Sequence, residues 1–173
     1  MAIPGLSFYN DRTMNDLVVR AMNGPDEADA GASIMACSDP WKRLGRDVHH
    51  TLRTVTNANS EVYVAVHEAR VLGLVIVVMN VPLIRGYINA LAVHADHRNR
   101  GVGARLLMFA EDRIFRESPN VFLCVSDFNA NAQRFYQRMG YKRVGLIEDF
   151  IIHGAGEILM RKTIGPQSTF AVR

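Results

Sequence analysis

Residues 91–104 hold the densest chemistry in the chain. Leu91, Ala92 and Val93 close an apolar stretch, and a basic loop carrying Arg98, Asn99 and Arg100 follows. Gly101, Val102, Gly103 and Ala104 then open into an apolar run that begins at Leu106. A strand feeding a glycine-bearing turn at a helix N-terminus leaves the first N–H groups of that helix without intrahelical partners. Those donors, with the local dipole, suit an anion. Glycine lets the backbone approach such a ligand with no Cβ in between. Arg98, Arg100 and Arg105 add charge suited to phosphate. Two other phosphate loops are excluded. The string Gly-x-x-x-x-Gly-Lys-Ser/Thr is absent. Leu106 stands where a dinucleotide-binding turn needs its third glycine.

A second patterned stretch lies downstream, Asn129-x-x-Ala132-x-x-x-Tyr136-x-x-x-Gly140-Tyr141. Arg98-x-x-Gly101-x-Gly103 resembles the coenzyme A pyrophosphate loop of the GNAT N-acetyltransferase superfamily, and the second stretch resembles the later half of the same domain. The two stand in the family's order, and the matching block covers residues 60–162. The branch suggested is the ribosomal-protein N-terminal acetyltransferases. The resemblance implies direct transfer of an acetyl group from acetyl-CoA, as co-substrate, to a primary amine. It implies that the strand 87–93 diverges from the strand 121–125. Backbone groups of Leu91, Ala92 and Val93 would then hold the acetyl-pantetheine arm, and one N–H would polarise the acetyl oxygen. The loop 98–104 would take the pyrophosphate. In the family Asn129 contacts the pantetheine arm; at the head of a helix it is equally an N-cap. Tyr136 matches the family's proton donor. Its hydroxyl, with an ordinary pKa near 10, is protonated at neutral pH and has a proton to offer a departing thiolate.

An amine acceptor also needs a base. The ribosomal-protein branch carries a glutamate on the strand before the asparagine helix, where this chain has Cys124. Other branches carry an acid on the strand entering the loop, where this chain has Asn89. Glu61 and Asp127 remain as carboxylates that could serve as base or touch substrate, or else sit as solvated strand-end charges. The acceptor pocket is expected between the segment 23–56 and the turn at Gly154, with Trp41 as a pocket wall or a helix staple. Phe150 and Ile151 stand where the suggested branch has a tyrosine pair, which favours a small-molecule amine over a protein N-terminus. Glu148, Asp149 and Glu157 could attract a cationic amine or decorate a strand edge. The rival from another class is an acyl-CoA-binding sensor without catalysis.

Composition fits this reading. A chain of 173 residues, 49% hydrophobic and 21% charged, suits one globular domain with a sizeable core. The expected division is an acetyltransferase domain over 1–165 and a loose tail over 166–173. A formal charge of +3, without a Lys/Arg run, argues against nucleic acid. The two cysteines, Cys37 and Cys124, have no metal spacing and point to a reducing cytoplasm. The six histidines include an adjacent pair, His49 and His50, and the pair His94 and His97 without a third ligand nearby, so no metal is expected. No apolar run approaches the ~20 residues of a membrane span. The expected partners are acetyl-CoA and an amine, with no nucleic acid and no membrane, in a monomer or homodimer.

Periodicity and punctuation place the elements. Strands are expected over 6–9, 61–66, 71–79, 86–93, 121–125, 141–152 and 157–162. Helices are expected from Asp11 or Thr13 to about residue 23, over 26–36, from Pro40 to about residue 54, after Gly103 to about residue 116, and over 129–139. From residue 61 on the order is β-β-β-α-β-α-β-β, and with the helices before it this is an α/β fold with a mixed sheet. The resemblance adds that this sheet is mostly antiparallel, with the splayed strand pair at its centre and helices on its flanks.

Overall fold

The computed structural model describes residues 16–81 and 84–171. Seven strands form one sheet in the order β1-β2-β3-β4-β5-β7-β6. In chain order they are β1 (Val18–Ala21), β2 (Glu61–His67), β3 (Arg70–Val81), β4 (Ile84–Val93), β5 (Asn120–Ser126), β6 (Lys142–Ile147) and β7 (Glu157–Thr163). Helices α1 (Gly24–Ala36) and α2 (Val48–Val55) lie between β1 and β2. Helix α3 (Val102–Phe115) joins β4 to β5, and α4 (Ala130–Arg138) joins β5 to β6. All neighbouring strands are antiparallel except β4 and β5. The class agrees with the sequence reading, as does the element order from β2 onward. No helix among the described residues is long and apolar enough to cross a membrane.

Each face of the sheet buries its own core. Leu106, Leu107, Ala110 and Ile114 of α3 pack on Val75, Val77, Ile88, Val121 and Leu123. On the other face, Ala28, Ala32 and Met35 of α1 and Val55 of α2 pack on Val64, Leu74, Ile76, Ala90 and Ala92. Leu106 and Leu107 are fully covered, so truncating either to alanine costs about 2–5 kcal/mol. The hairpin between β2 and β3 turns through Glu68 and Ala69 at φ 47° and 62°. Two consecutive left-handed residues match the twist of the strands they join.

Three expectations need correction. The helix expected to run to residue 23 is strand β1 over its second half, paired with β2 from Val18↔Val66 to Ala21↔Tyr63. Its proposed caps Asp11 and Thr13, and the strand expected over 6–9, lie outside the described residues. The helix expected from Pro40 to residue 54 is only α2. Residues 39–45 form turns that end at Gly45, φ 66°, and the helix starts where Asp47 accepts the His50 N–H at 2.7 Å. The strand expected over 141–152 stops at Ile147, and a loop over 148–156 carries the chain to β7.

The sheet opens between β4 and β5. Their parallel pairing holds only at Tyr87↔Phe122 and Ile88↔Leu123. Beyond that point β4 stays paired to β3 as far as Val93↔Gly73, and β5 stays paired to β7 as far as Ser126↔Glu157. A bulge marks where the strands part. Ile76 opposes Ala90 and Val77 opposes Ile88, so Asn89 is the extra residue. Bulges bend a strand and sharpen its twist. This one also changes the side-chain parity, since Ile88 lies in the α3 core while Ala90 and Ala92 lie in the α1 core. The gap opens at the carboxyl ends of two parallel strands, where open α/β sheets bind ligands.

Candidate functional site

Two clefts flank the gap. The first, about 470 Å³, runs from Leu91, Ala92 and Val93 past the N-terminus of α3 to α4. Backbone makes much of it. The His94 N–H donates to Leu72 of β3 at 2.8 Å. Alternation along β4 therefore turns the N–H and C=O groups of Val93 and Leu91 to the other edge, toward the gap. Gly101 caps α3 at φ 85° and Asn99 precedes it at φ 60°, which curls the loop so that the free first-turn N–H groups face the cleft. Gly103 differs, because its φ lies outside the left-handed region. A Cβ there would meet Val93 Cγ2 at 3.6 Å and Phe135 Cζ at 3.8 Å, ordinary contacts. The protein's own packing tolerates a side chain at 103; what that side chain would take up is cleft.

Of the residues predicted to bind coenzyme, Leu91, Ala92, Val93, Arg98, Asn99, Gly101, Gly103, Ala104 and Asn129 all line this cleft, with Tyr136 at its inner end. Val102 is in the α3 core, and Arg100 is exposed and outside the lining. Arg98 is a strut. Its Nε donates to the Val93 carbonyl at 3.0 Å and its Nη2 to the Ser38 hydroxyl at 2.8 Å, tying the loop to β4 and to the end of α1. Arg105 donates to the Leu17 carbonyl at 2.7 Å. The cations the sequence reading missed are Arg134 and Arg138, one turn apart on α4 and both lining the cleft. Their i, i+4 spacing was the available signal. Asn129 Oδ1 accepts the Ala132 N–H at 3.2 Å, so the cap uses the oxygen and leaves the amide N–H₂ out of that bond.

The second cleft, about 380 Å³, lies on the α1 and α2 side. Trp41 and Leu44 form one wall, Phe150 and Ile151 another, and Tyr87, Asn89, Cys124 and Glu157 the floor. Leu91, Asn129, Ala132 and Tyr136 line both clefts, so the clefts meet at the gap. Tyr136 is buried with its ring edge-on to Tyr141 at 5.7 Å between centroids, and burial raises its phenol above the usual value. The Cys124 thiol is raised chiefly by burial, which keeps it protonated. Glu157 is 6% exposed and accepts the Ser126 hydroxyl at 2.6 Å. Burial pushes its carboxyl up, the Ser126 bond opposes that, and the charge of Asp127 adds to it.

The other candidates lie away from both clefts. Glu61 pairs with Arg113 at 2.6 Å and accepts the Tyr63 hydroxyl at 2.6 Å; burial and this neighbour push that phenol up to about 12. Asp127 is exposed and accepts the Gly156 N–H at 2.8 Å. Asp149 accepts the Gly154 N–H at 2.6 Å within its loop. Among the described residues no group of three or more His, Cys, Asp or Glu side chains is placed to hold a metal ion.

An open sheet, a bulge at the gap and a phosphate-type loop at the next helix define an acyl-coenzyme A fold. The profile of the acetyltransferase (GNAT) family matches residues 30–141, and the chain belongs to that family. The uncharacterized N-acetyltransferase MJ1530 of Methanocaldococcus jannaschii is 35% identical over 102 residues, which are 58% of this chain and 64% of that protein. The chain thus spans a little under two thirds of that relative. An aminoglycoside 6'-N-acetyltransferase complexed with coenzyme A superposes with a TM-score of 0.70 at 18% identity, covering 86% of this chain and 98% of its own. The ribosomal-protein-S18-alanine N-acetyltransferase of Escherichia coli gives 0.70 at 15% identity over 90% and 99%. At these identities the likeness to the two structures is one of fold.

Proposed function

We propose that this protein is an N-acetyltransferase that moves an acetyl group directly from acetyl-CoA to a primary amine of a small molecule. The observation that carries the reading is the meeting of two clefts at one gap, with Tyr136 lining both. The first cleft fits an extended, anionic thioester. It offers the strand edge at Leu91 and the Val93 N–H, first-turn N–H groups of α3, room at Gly103, and cations on α4. The second brings an acceptor from the opposite side, so the nucleophile and the thioester approach without an enzyme-bound acyl group. The exposed apolar side chains Phe150 and Ile151 at its mouth favour a small amine over a peptide backbone, which needs polar partners along its length.

Tyr136 faces the sulfur side of the reaction. A phenol is a weaker acid than a thiol even at its ordinary value, and burial raises it further. A free thiolate would therefore not pull its proton off outright. Tyr136 donates a hydrogen bond to sulfur as charge develops there. The proton crosses as the acylated nitrogen, a far stronger acid, loses its own. The test is thiol release from acetyl-CoA across a panel of small amines and peptides. Amine-dependent release supports the enzyme. Tight coenzyme binding with no release on any acceptor would make it a sensor.

A further inference from the structure

Among the described residues the buried carboxylates are Glu111 and Glu157. Glu111 has its cation, Lys162 at 2.6 Å. Glu157 has none. The groups that face it are the Ser126 hydroxyl and Cys124 thiol of β5, the Tyr87 phenol of β4 and Asp127 beyond β5. No cation is among them. Oε1 takes the Ser126 hydroxyl, and no donor among the described residues reaches Oε2, which is not sealed from the cleft. A carboxylate held this deep with one neutral donor lacks the counter-charge that would make its ionised form stable.

The rest of the cleft indicates what supplies that charge. Its walls are Trp41, Leu44, Phe150 and Ile151, and its charged side chains besides Glu157 are Arg46 and Asp39. Phe150 is 61% exposed, a large apolar surface left uncovered at the mouth. This lining accepts an apolar body ending in one ammonium group. Building on the acetyltransferase reading above, we propose that Glu157 receives the acceptor's ammonium and takes its first proton, and that the acceptor is a monoamine on an apolar body.

Atoms balance without an added oxidant or reductant. The ammonium gives one proton to Glu157, which releases it to water. The nitrogen lone pair then forms the N–C bond to the acetyl carbon as the C–S bond breaks. The second nitrogen proton leaves, and the coenzyme sulfur gains one through Tyr136. One ammonium and one thioester become one amide, one thiol and one released proton. Glu157 must be ionised to act, so activity falls as pH falls through its carboxyl pKa. Burial and Asp127 move that limb above the ordinary carboxylate range.

The test compares the parent with Glu157→Gln, whose side-chain oxygen can still accept the Ser126 hydroxyl. Thiol release is followed with 2-phenylethylamine and with kanamycin, a polycation, from about pH 5 to about pH 9, and calorimetry with coenzyme A checks the fold. The expected result is a fall in kcat/KM of at least about 100-fold, the lower end of the usual range for a general base. The parent's acid limb disappears in the variant, and coenzyme affinity is unchanged. 2-Phenylethylamine should exceed kanamycin at least about tenfold in the parent, the weight of one misplaced charge. A variant that keeps the parental rate and acid limb removes Glu157 and leaves the enzyme standing. Kanamycin as the better acceptor overturns the acceptor class. A parent that binds coenzyme A and releases no thiol with any amine overturns the acetyltransferase reading itself.

Discussion

The two clefts are built from different materials. The first cleft takes much of its lining from one stretch, 91–104, as a strand edge, a left-handed turn and a helix N-terminus, and the rest from α4 and the segment after α1. The acceptor cleft is mostly side chain, gathered from the α1–α2 segment, β4, β5, β7 and the loop over 148–156. A backbone site depends on local conformation and tolerates changes of side-chain identity, except where a Cβ intrudes. A side-chain site can be rebuilt residue by residue. On the proposed function, coenzyme binding would rest on the rigid framework and acceptor choice on exchangeable positions.

That contrast predicts where single substitutions act. The largest effect belongs to the shared boundary. Tyr136→Phe keeps the ring against Tyr141 and removes the hydroxyl, so kcat should drop about 100-fold, the lower end of the range for proton-transfer help. KM for acetyl-CoA should stay within about twofold, because the hydroxyl engages sulfur only as charge develops. An equal loss in coenzyme affinity would make Tyr136 a binding residue. Gly103→Val comes next. Its Cβ has room in the protein, so stability should hold while coenzyme A affinity falls at least tenfold, about 1.4 kcal/mol. Unchanged affinity would mean that the ligand does not pass Gly103.

Asn129 separates framework from contact. Asn129→Ala removes the α4 cap and should cost about 1 kcal/mol of stability. Asn129→Asp keeps the cap oxygen and loses the amide N–H₂, so a coenzyme defect shared by both variants, with stability lost only in Asn129→Ala, would assign the N–H₂ to the ligand. The smallest effect is electrostatic. Arg134→Ala and Arg138→Ala should each weaken coenzyme A binding a few-fold at low salt and flatten its salt dependence, since exposed charges are screened within about 10 Å at 0.1 M. Arg98→Ala should lower the melting temperature instead, because its donors hold Val93 and Ser38.

The same contrast explains what the sequence could tell. The coenzyme loop was legible because its parts are consecutive: glycines, cations and a strand end in one stretch, with Asn129 and Tyr136 at fixed spacing on one helix. The gap itself was expected from the resemblance, but its bulge at Asn89 was not, since one extra residue leaves no mark in an apolar pattern. Strand β1 was taken for helix because Leu17, Val18 and Val19 fit either period, and pairing with β2 decides the matter. Arg98 was expected at the phosphates from its charge; its bond to Ser38, 60 residues away, was not legible, because only the folded chain brings the two together. Glu157 drew notice only as one of three acids near a turn. What sets it apart from Glu148 and Asp149 is burial without a cation, which only the folded chain reveals.

The most direct measurement is mass spectrometry of 2-phenylethylamine incubated with acetyl-CoA and the protein, with free thiol counted in parallel. The account predicts one acetylated amine for each thiol released, both slowed together in Tyr136→Phe. Thiol release without acetylated amine, or acetylated amine undiminished in that variant, would contradict it.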